Sequence, residues 1–145
     1  MNEQASNKPE KWFWIVSGVA FAWNIMGAVQ YFILVTMTDT AIAELPVAEQ
    51  ALLTDIPIWA TSAFAIAVFG GLLGCAGLLM RKKWARPLFI ASLVGVVVQM
   101  FNWLVLSDTV DVYGAGSIVM PVVVIVIAGF LIWFAGTSTS KGWLS

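Results

Sequence analysis

Four amide side chains and one tyrosine lie within the apolar stretches of this sequence, and they are the residues best suited to bind another molecule. Asn24, Gln30 and Tyr31 lie in one stretch, and Gln99 and Asn102 lie in another. An amide in hydrocarbon is costly unless it forms hydrogen bonds, so these side chains should face the protein interior. There they would form either a closed hydrogen-bonded network or a polar pocket for a small neutral solute or a lipid head group.

Residues for catalysis, metal binding and redox chemistry are scarce. The chain has no histidine and one cysteine, Cys75, which excludes histidine-based proton relays, internal disulfides and paired-cysteine redox motifs. The apolar stretches contain no Asp or Glu, and their only Lys or Arg is Arg86 at the start of the third, which counts against proton-coupled transport through a membrane carboxylate. We therefore expect a protein that is not an enzyme and that has no cofactor and no metal site.

The elements that must position the polar residues are long apolar segments. The chain of 145 residues is 61% apolar and 10% charged, with a mean hydropathy of +0.93, whereas a soluble domain has about 25% charged residues. Runs of about 20 apolar residues are long enough to span a bilayer. We predict one membrane domain over residues 1–145, an all-α antiparallel four-helix transmembrane bundle. Its spans are residues 12–36, 58–80, 84–106 and 117–136.

The segments between the spans contain weaker signals. Residues 46–54 place apolar side chains at helical spacing, which predicts a short amphipathic helix on the outer membrane surface. Asp55 is expected to cap the second span, with Pro57 in its first turn. Residues 137–145 are expected to form a polar tail with Trp143 at the membrane interface.

The charged residues indicate an orientation. All seven basic residues precede the first span, follow the last, or lie in residues 81–86, where the second span ends and the third begins. The other two loops contain six of the eight acids and no Lys or Arg. The positive-inside rule then places both termini in the cytoplasm. The cluster between the second and third spans either marks this topology or binds anionic lipid head groups, and its residues are Arg81, Lys82, Lys83 and Arg86.

Small residues recur along the second span at steps of three and four. Ala67, Gly70, Gly74 and Gly77 therefore share one helix face, and they predict a close contact with another helix, within the bundle or between protomers. Gly71 is about 100° around the helix from Gly70 and is expected to lie outside this packed face.

A faint internal repeat relates the first and third spans. A shift of 69 residues places Gln30 on Gln99, and Thr38-Asp39-Thr40 falls on Ser107-Asp108-Thr109. Each glutamine then lies nine residues before an aspartate at the end of its span. The repeat predicts that the two glutamines lie at one depth and point inward.

The sequence also resembles a family of small bacterial inner-membrane proteins. The similar residues are Trp12-Phe-Trp-Ile-Val-Ser-Gly-Val-Ala20, Trp23-Asn24, Leu45-Pro46, Asp55-Ile-Pro57, Phe69-Gly70-Gly71 and Arg81-Lys-Lys-Trp84-Ala-Arg-Pro87. The resemblance covers nearly the whole chain and implies a bacterial four-span protein of the inner membrane. Members of this family often have the automatic label "sugar transporter", and no functional residue can be transferred from them.

Two classes of function follow from these observations. The first is a structural or accessory membrane protein, with a second copy or another membrane protein as its partner. The second is a small-solute transporter or a binder of a lipophilic ligand that acts as an oligomer. A water-connected cavity between the first and third spans would favour the second class, and a filled interior would favour the first. Either protein would lie in a lipid bilayer and would not bind nucleic acid.

Overall fold

Helices make up most of the described chain. The computed structural model describes residues 8–145, and in that range the chain forms helices and no strand. Residues 1–7 of the expected domain lie outside the described residues. In chain order the helices are α1 (Lys11–Thr36), α2 (Asp39–Ala43), α3 (Val47–Thr54), α4 (Ile58–Leu79), α5 (Ala85–Phe101), α6 (Thr109–Tyr113) and α7 (Val119–Ser140).

Four of these helices, α1, α4, α5 and α7, are long and apolar enough to cross a membrane. The prediction of an all-α chain with four such helices is confirmed. The helix of α5 continues through one π-helical turn, Asn102–Leu106, and a 3-10 turn, Ala115–Ile118, leads into α7. The fourth long helix continues to Ser140, past its expected end at residue 136.

The prediction that Asp55 caps the second long helix is wrong. Pro57 is the N-cap of α4, and Asp55 instead follows α3 as its C-cap residue. The residue before a proline is driven toward an extended conformation, which separates Asp55 from the first turn of α4. The short helix between the first two long helices does form, and it starts directly after Pro46.

Helices α4 and α5 pack antiparallel and very closely. A Cβ atom at Gly95 would lie 2.7 Å from the carbonyl oxygen of Ala63, so the two backbones touch at this point. One turn away, the Ser92 hydroxyl donates a hydrogen bond of 2.6 Å to the carbonyl oxygen of Ala67. Gly95 permits this approach because any side chain there would meet the main chain of α4 rather than a movable group.

The predicted small-residue face of α4 lies against α5. A Cβ at Gly70 would lie 3.1 Å from the carbonyl oxygen of Leu88, and one at Gly74 would lie 2.6 Å from the Phe89 ring. Gly77 lies against Trp84 and Ala85 in the same way, and Ala67 is buried. Gly71 is buried too, but against the Asn24 side chain of α1, so a side chain added there would also meet an obstacle.

The two ends of the molecule differ in charge. We call the end with Lys11, the 81–86 turn and Lys141 the basic end, and the end with residues 37–57 and 107–114 the acidic end. Each long helix packs against the next one in the chain, whereas the backbones of α1 and α7 make few close approaches. At the basic end, however, the rings of Trp12 and Phe13 lie 5.5 Å and 5.6 Å from that of Phe134.

The C-terminal residues complete the core at the basic end instead of forming the expected polar tail. Gly142 has a φ of 76°, a conformation that favours glycine and that reverses the chain after α7. Trp143 and Leu144 are 3% and 2% exposed, in a cluster with Phe13, Leu78, Phe89 and Phe134. The expected polar tail is therefore wrong, and Trp143 is a core residue.

Hydrogen bonds fix this C-terminal segment to the turn between α4 and α5. Arg81 Nε donates to the carbonyl oxygen of Trp143 at 2.8 Å. The Ser145 amide donates to the carbonyl oxygen of Arg81 at 2.8 Å, and the Lys83 amide donates to the carbonyl oxygen of Ser145 at 3.2 Å. The Lys141 ammonium lies 4.7 Å from the centre of the Trp143 ring, a cation–π distance.

Candidate functional site

Two adjoining cavities lie between the long helices. The central cavity has a volume of about 370 Å³ and is lined by residues from α1, α4, α5 and α7. The second, which we call the vestibule, has a volume of about 930 Å³ and lies at the acidic end beneath α3. Both are lined by Gln30, Phe64, Gln99 and Met120, one residue from each long helix. We call these four residues the neck.

The two glutamines of the neck have no hydrogen-bonding partner among the described residues. Gln30 is exposed and Gln99 is half-buried, and neither side-chain amide bonds to another residue of the range 8–145. An amide offers two donors and an acceptor with two lone pairs. Because both glutamines line both cavities, the neck offers these groups to anything that occupies it. The repeat's prediction that the two glutamines lie at one depth and point inward stays a prediction.

Asn24 lines the central cavity only and is held by protein contacts. Its Nδ2 donates to the carbonyl oxygen of Ala20 at 2.8 Å and lies 3.3 Å from the sulfur of Cys75. A Cβ at Gly71 would meet its Oδ1, so the absent side chain at Gly71 makes room for the Asn24 amide. Asn24 is thus positioned by α4 and presents only part of its polar surface to the cavity.

Asn102 lines the vestibule and not the central cavity. It is only 8% exposed, yet its side-chain amide has no hydrogen-bonding partner in the described chain. Asn102 opens the π-helical turn, in which the Ser107 amide donates to the Asn102 carbonyl oxygen at 2.9 Å. Single π-helical turns are rare and occur frequently at functional sites, where the wider turn reorients a side chain.

Tyr31 is not brought to either cavity, although its sequence position suggested a place beside the amides. Its ring packs edge-on against Phe64 and Phe69 at 5.5 Å each. The five residues of the candidate polar interior are therefore divided. Gln30 and Gln99 form part of the neck, Asn24 and Asn102 lie on opposite sides of it, and Tyr31 supports the ring of Phe64 from outside.

The charges of the lining residues differ between the two cavities. Among the described residues, no Asp, Glu, Lys or Arg lines the central cavity, where Trp23, Met26 and Leu131 are typical. The vestibule is lined by Asp55 and Asp108 and by no basic residue. No group of three His, Cys, Asp or Glu residues that could hold a metal ion occurs in residues 8–145. The residues present are suited to noncovalent binding.

A polar contact links two short helices at the mouth of the vestibule. The Tyr113 hydroxyl of α6 hydrogen-bonds to the Glu49 carboxylate of α3. Partial burial raises the pKa of Tyr113 above its usual value near 10, and the charge of Glu49 and this hydrogen bond raise it further. Tyr113 also stacks on Trp103 at 6.4 Å, so this contact joins α3 to the wall of the vestibule.

The basic cluster lies at the opposite end, away from both cavities. Lys82, Lys83 and Arg86 are exposed, and the Arg86 guanidinium lies close to Gly136 of α7. Arg81 is only half-exposed, because its Nε bonds to the C-terminal segment. The turn therefore holds one cation in a structural contact and presents the other three at the surface.

Sequence reasoning missed Phe64 and Met120 of the neck and the close contact at Gly95. Both neck residues are apolar residues in apolar helices, so no change of composition distinguishes them. Gly95 is a single glycine in an apolar stretch, one helical turn after Ser92. The separation of three residues between Ser92 and Gly95 could have predicted this contact, because it places both on one face of α5. That face lies against the α4 backbone.

Comparison with known proteins gives no relative for this site. No model of a protein family, no curated protein and no solved structure matches the chain. The chemistry of the site is therefore inferred from three features of the chain itself: an apolar cavity, a neck with two glutamines, and an acidic vestibule.

Proposed function

We propose that this chain is a multi-pass protein of a bacterial inner membrane that binds a small amphipathic ligand in its central cavity. The observation that carries the proposal is the neck, where Gln30 and Gln99 line both cavities without hydrogen bonds to the described protein. If the amides served only to join helices, they would bond to one another or to the backbone. A ligand with a polar group at the neck would supply the missing partners.

The proposed membrane position rests on the surface of the long helices. Large apolar side chains such as Ile15, Val19, Ile66, Val94 and Val126 are more than half exposed. Exposure of this kind over four long helices would be unfavourable in water and is ordinary in lipid. The positive-inside rule then orients the basic end, with both termini, toward the cytoplasm and the vestibule toward the outside.

A binding measurement tests the proposed function. The probe is 8-bromooctanol, an uncharged chain whose bromine quenches nearby tryptophan fluorescence, added to the protein in lipid nanodiscs. Trp23 lines the central cavity, so its quenching reports occupancy there. The expected result is saturable quenching that disappears in Trp23→Phe, because nonspecific partitioning into lipid does not saturate in this way.

Two neighbouring residues provide a matched pair of variants. Ala128 is buried and lines the central cavity, so Ala128→Phe fills it and should abolish the saturable quenching. Gly129 has nothing within 4 Å of its Cβ position, so Gly129→Phe adds the same ring on the outer surface and should leave binding intact. Equal quenching in both variants, or none in the native protein, would refute ligand binding in the cavity.

A structural or accessory role is the second candidate. It is favoured by exposed glycines in α1 and α7, Gly18 and Gly129, which have no described side chain near them and which would let a partner helix approach closely. Under this alternative, 8-bromooctanol would show no saturable quenching. If partner helices pack on these glycines, Gly18→Leu should disrupt an oligomer or a complex with another protein. Native mass spectrometry from nanodiscs would detect this loss.

A further inference from the structure

We infer that the ligand is an amphipathic cation, with its apolar body in the central cavity and its positively charged head in the vestibule. This inference rests on the proposed function and specifies the chemistry of the ligand. Three features of the vestibule favour a cationic head. They are its negative charge, its aromatic rings and the side-chain amide of Asn102.

The charge distribution selects against anions. Asp55 and Asp108 line the vestibule, and no Lys or Arg among the described residues lines either cavity. All the basic residues of the sequence belong to the opposite end, so they do not neutralise these carboxylates at contact distance. A cleft lined by one sign of charge concentrates ions of the opposite sign and repels its own.

Aromatic side chains add a second source of attraction for cations. Trp59 and Trp103 line the vestibule, and Phe64 contributes its ring from the neck. The face of an aromatic ring attracts an ammonium group that lies within about 6 Å of its centre. A carboxylate alone binds an alkylammonium group weakly, because water solvates both charges. Aromatic faces beside the carboxylate strengthen the binding.

Asn102 gives an independent indication that a polar group occupies the vestibule. Its side chain is 8% exposed, lines the vestibule, and has no hydrogen-bonding partner in the described protein. Most of Asn102 is buried but its amide reaches the space of the vestibule, where a ligand or solvent group can satisfy it. The amide oxygen can accept from an ammonium head or orient its dipole toward a quaternary one.

The central cavity defines which end of the ligand enters it. Its lining has no charged residue, and its polar groups are neutral amides and the Ser92 hydroxyl, which already donates to Ala67. A cationic head moved through the neck would lose its carboxylate partners and much of its hydration. The head therefore stays on the vestibule side, and the apolar chain passes between Gln30 and Gln99.

The experiment compares three probes with one chain and different heads. They are (8-bromooctyl)trimethylammonium, 8-bromooctanol and 8-bromooctanesulfonate, each titrated against the full chain in nanodiscs of zwitterionic lipid with Trp23 quenching as the readout. We expect the cation to bind about tenfold more tightly than the alcohol, since two carboxylates and aromatic faces act on one head. The sulfonate should bind more weakly than the alcohol.

Two double variants that remove the same charge show which carboxylates cause the preference for the cation. In the double variant Asp55→Asn and Asp108→Asn, the cation should lose its advantage and bind like the alcohol. The control is the double variant Asp39→Asn and Glu44→Gln, which removes the same charge from two exposed residues of the acidic end that line neither cavity. The control should keep the preference for the cation.

The outcomes separate this inference from the proposed function. Saturable quenching of equal affinity for all three heads would overturn the cationic ligand and leave ligand binding supported. A preference for the cation that survives in Asp55→Asn/Asp108→Asn would also overturn the inference, because its source would lie elsewhere. No saturable quenching by any probe would overturn both.

Discussion

Replacement of Gly95 by alanine tests how closely the two central helices approach. The added Cβ would lie 2.7 Å from the Ala63 carbonyl oxygen and 2.8 Å from the Ala67 amide nitrogen, where ordinary van der Waals contacts are 3.4–4 Å. Both obstacles belong to the backbone of α4, so no side-chain rotation relieves the overlap. The helices must separate by about 0.7 Å to restore a normal contact.

This separation has a cost that can be estimated. Overpacking of this kind costs about 1–3 kcal/mol. The hydrogen bond from Ser92 to Ala67, now 2.6 Å, lies at the same interface. If it lengthened by the same amount it would reach about 3.3 Å, beyond the usual range for a hydroxyl donor. The movement would also reach Gln99, because it lies one turn further along α5.

Gly129→Ala provides the control, because its Cβ position has nothing within 4 Å. Replacing glycine by alanine inside a helix gains up to about 1 kcal/mol in helix propensity at either site. This gain is common to both variants, so their difference isolates the packing cost of about 1–3 kcal/mol. Equilibrium unfolding in bicelles titrated with sodium dodecyl sulfate measures it. Equal stability of the two variants would refute the close backbone contact.

Three further predictions address the orientation, the C-terminal segment and the vestibule mouth. Cysteines introduced at Glu49 and Asp111 should react with an impermeant thiol reagent on intact cells, and one at Lys82 should not; labelling at Lys82 would reverse the proposed orientation. Trp143→Ala should lower the free energy of unfolding by about 3 kcal/mol in the same bicelle assay, since the ring is 3% exposed, and no loss would contradict its packing. The pKa of Tyr113 is higher in the folded protein than its value near 10 in the unfolded chain. Its contribution to the free energy of unfolding is therefore complete below that unfolded pKa and is lost as the pH rises through the folded pKa. Glu49→Gln should move the tyrosinate absorbance of Tyr113 to lower pH, with Tyr113→Phe as the reference; an unchanged titration would contradict the Glu49 contact.

The long helices could be predicted from the sequence because each needs only local information. About 20 apolar residues in a row identify such a helix whatever it packs against. The place of Gln30 and Gln99 beside the cavities agrees with a simple argument, because the cost of an amide in lipid does not depend on detailed packing. These arguments use the chemistry of single residues and of the surrounding solvent.

Features that depend on the fit between distant segments could not be predicted. The burial of Trp143 requires the space left between Phe13 and Phe134, which the sequence near residue 143 does not encode. The packing of Gly71 depends on the rotamer of Asn24 in another helix. The split of the amides between two cavities depends on the neck, whose other members, Phe64 and Met120, are ordinary apolar residues.

The packed aromatic core at the basic end has a consequence for solute movement. Phe13, Phe134 and Trp143 fill the end of the molecule opposite the vestibule, so the path along the bundle from the acidic end to the basic end is closed there. A solute in the cavities would therefore exchange through the acidic end or sideways between α1 and α7, whose backbones make few close approaches. Net passage along the bundle would require these rings to part, and the rate of that opening would then limit turnover.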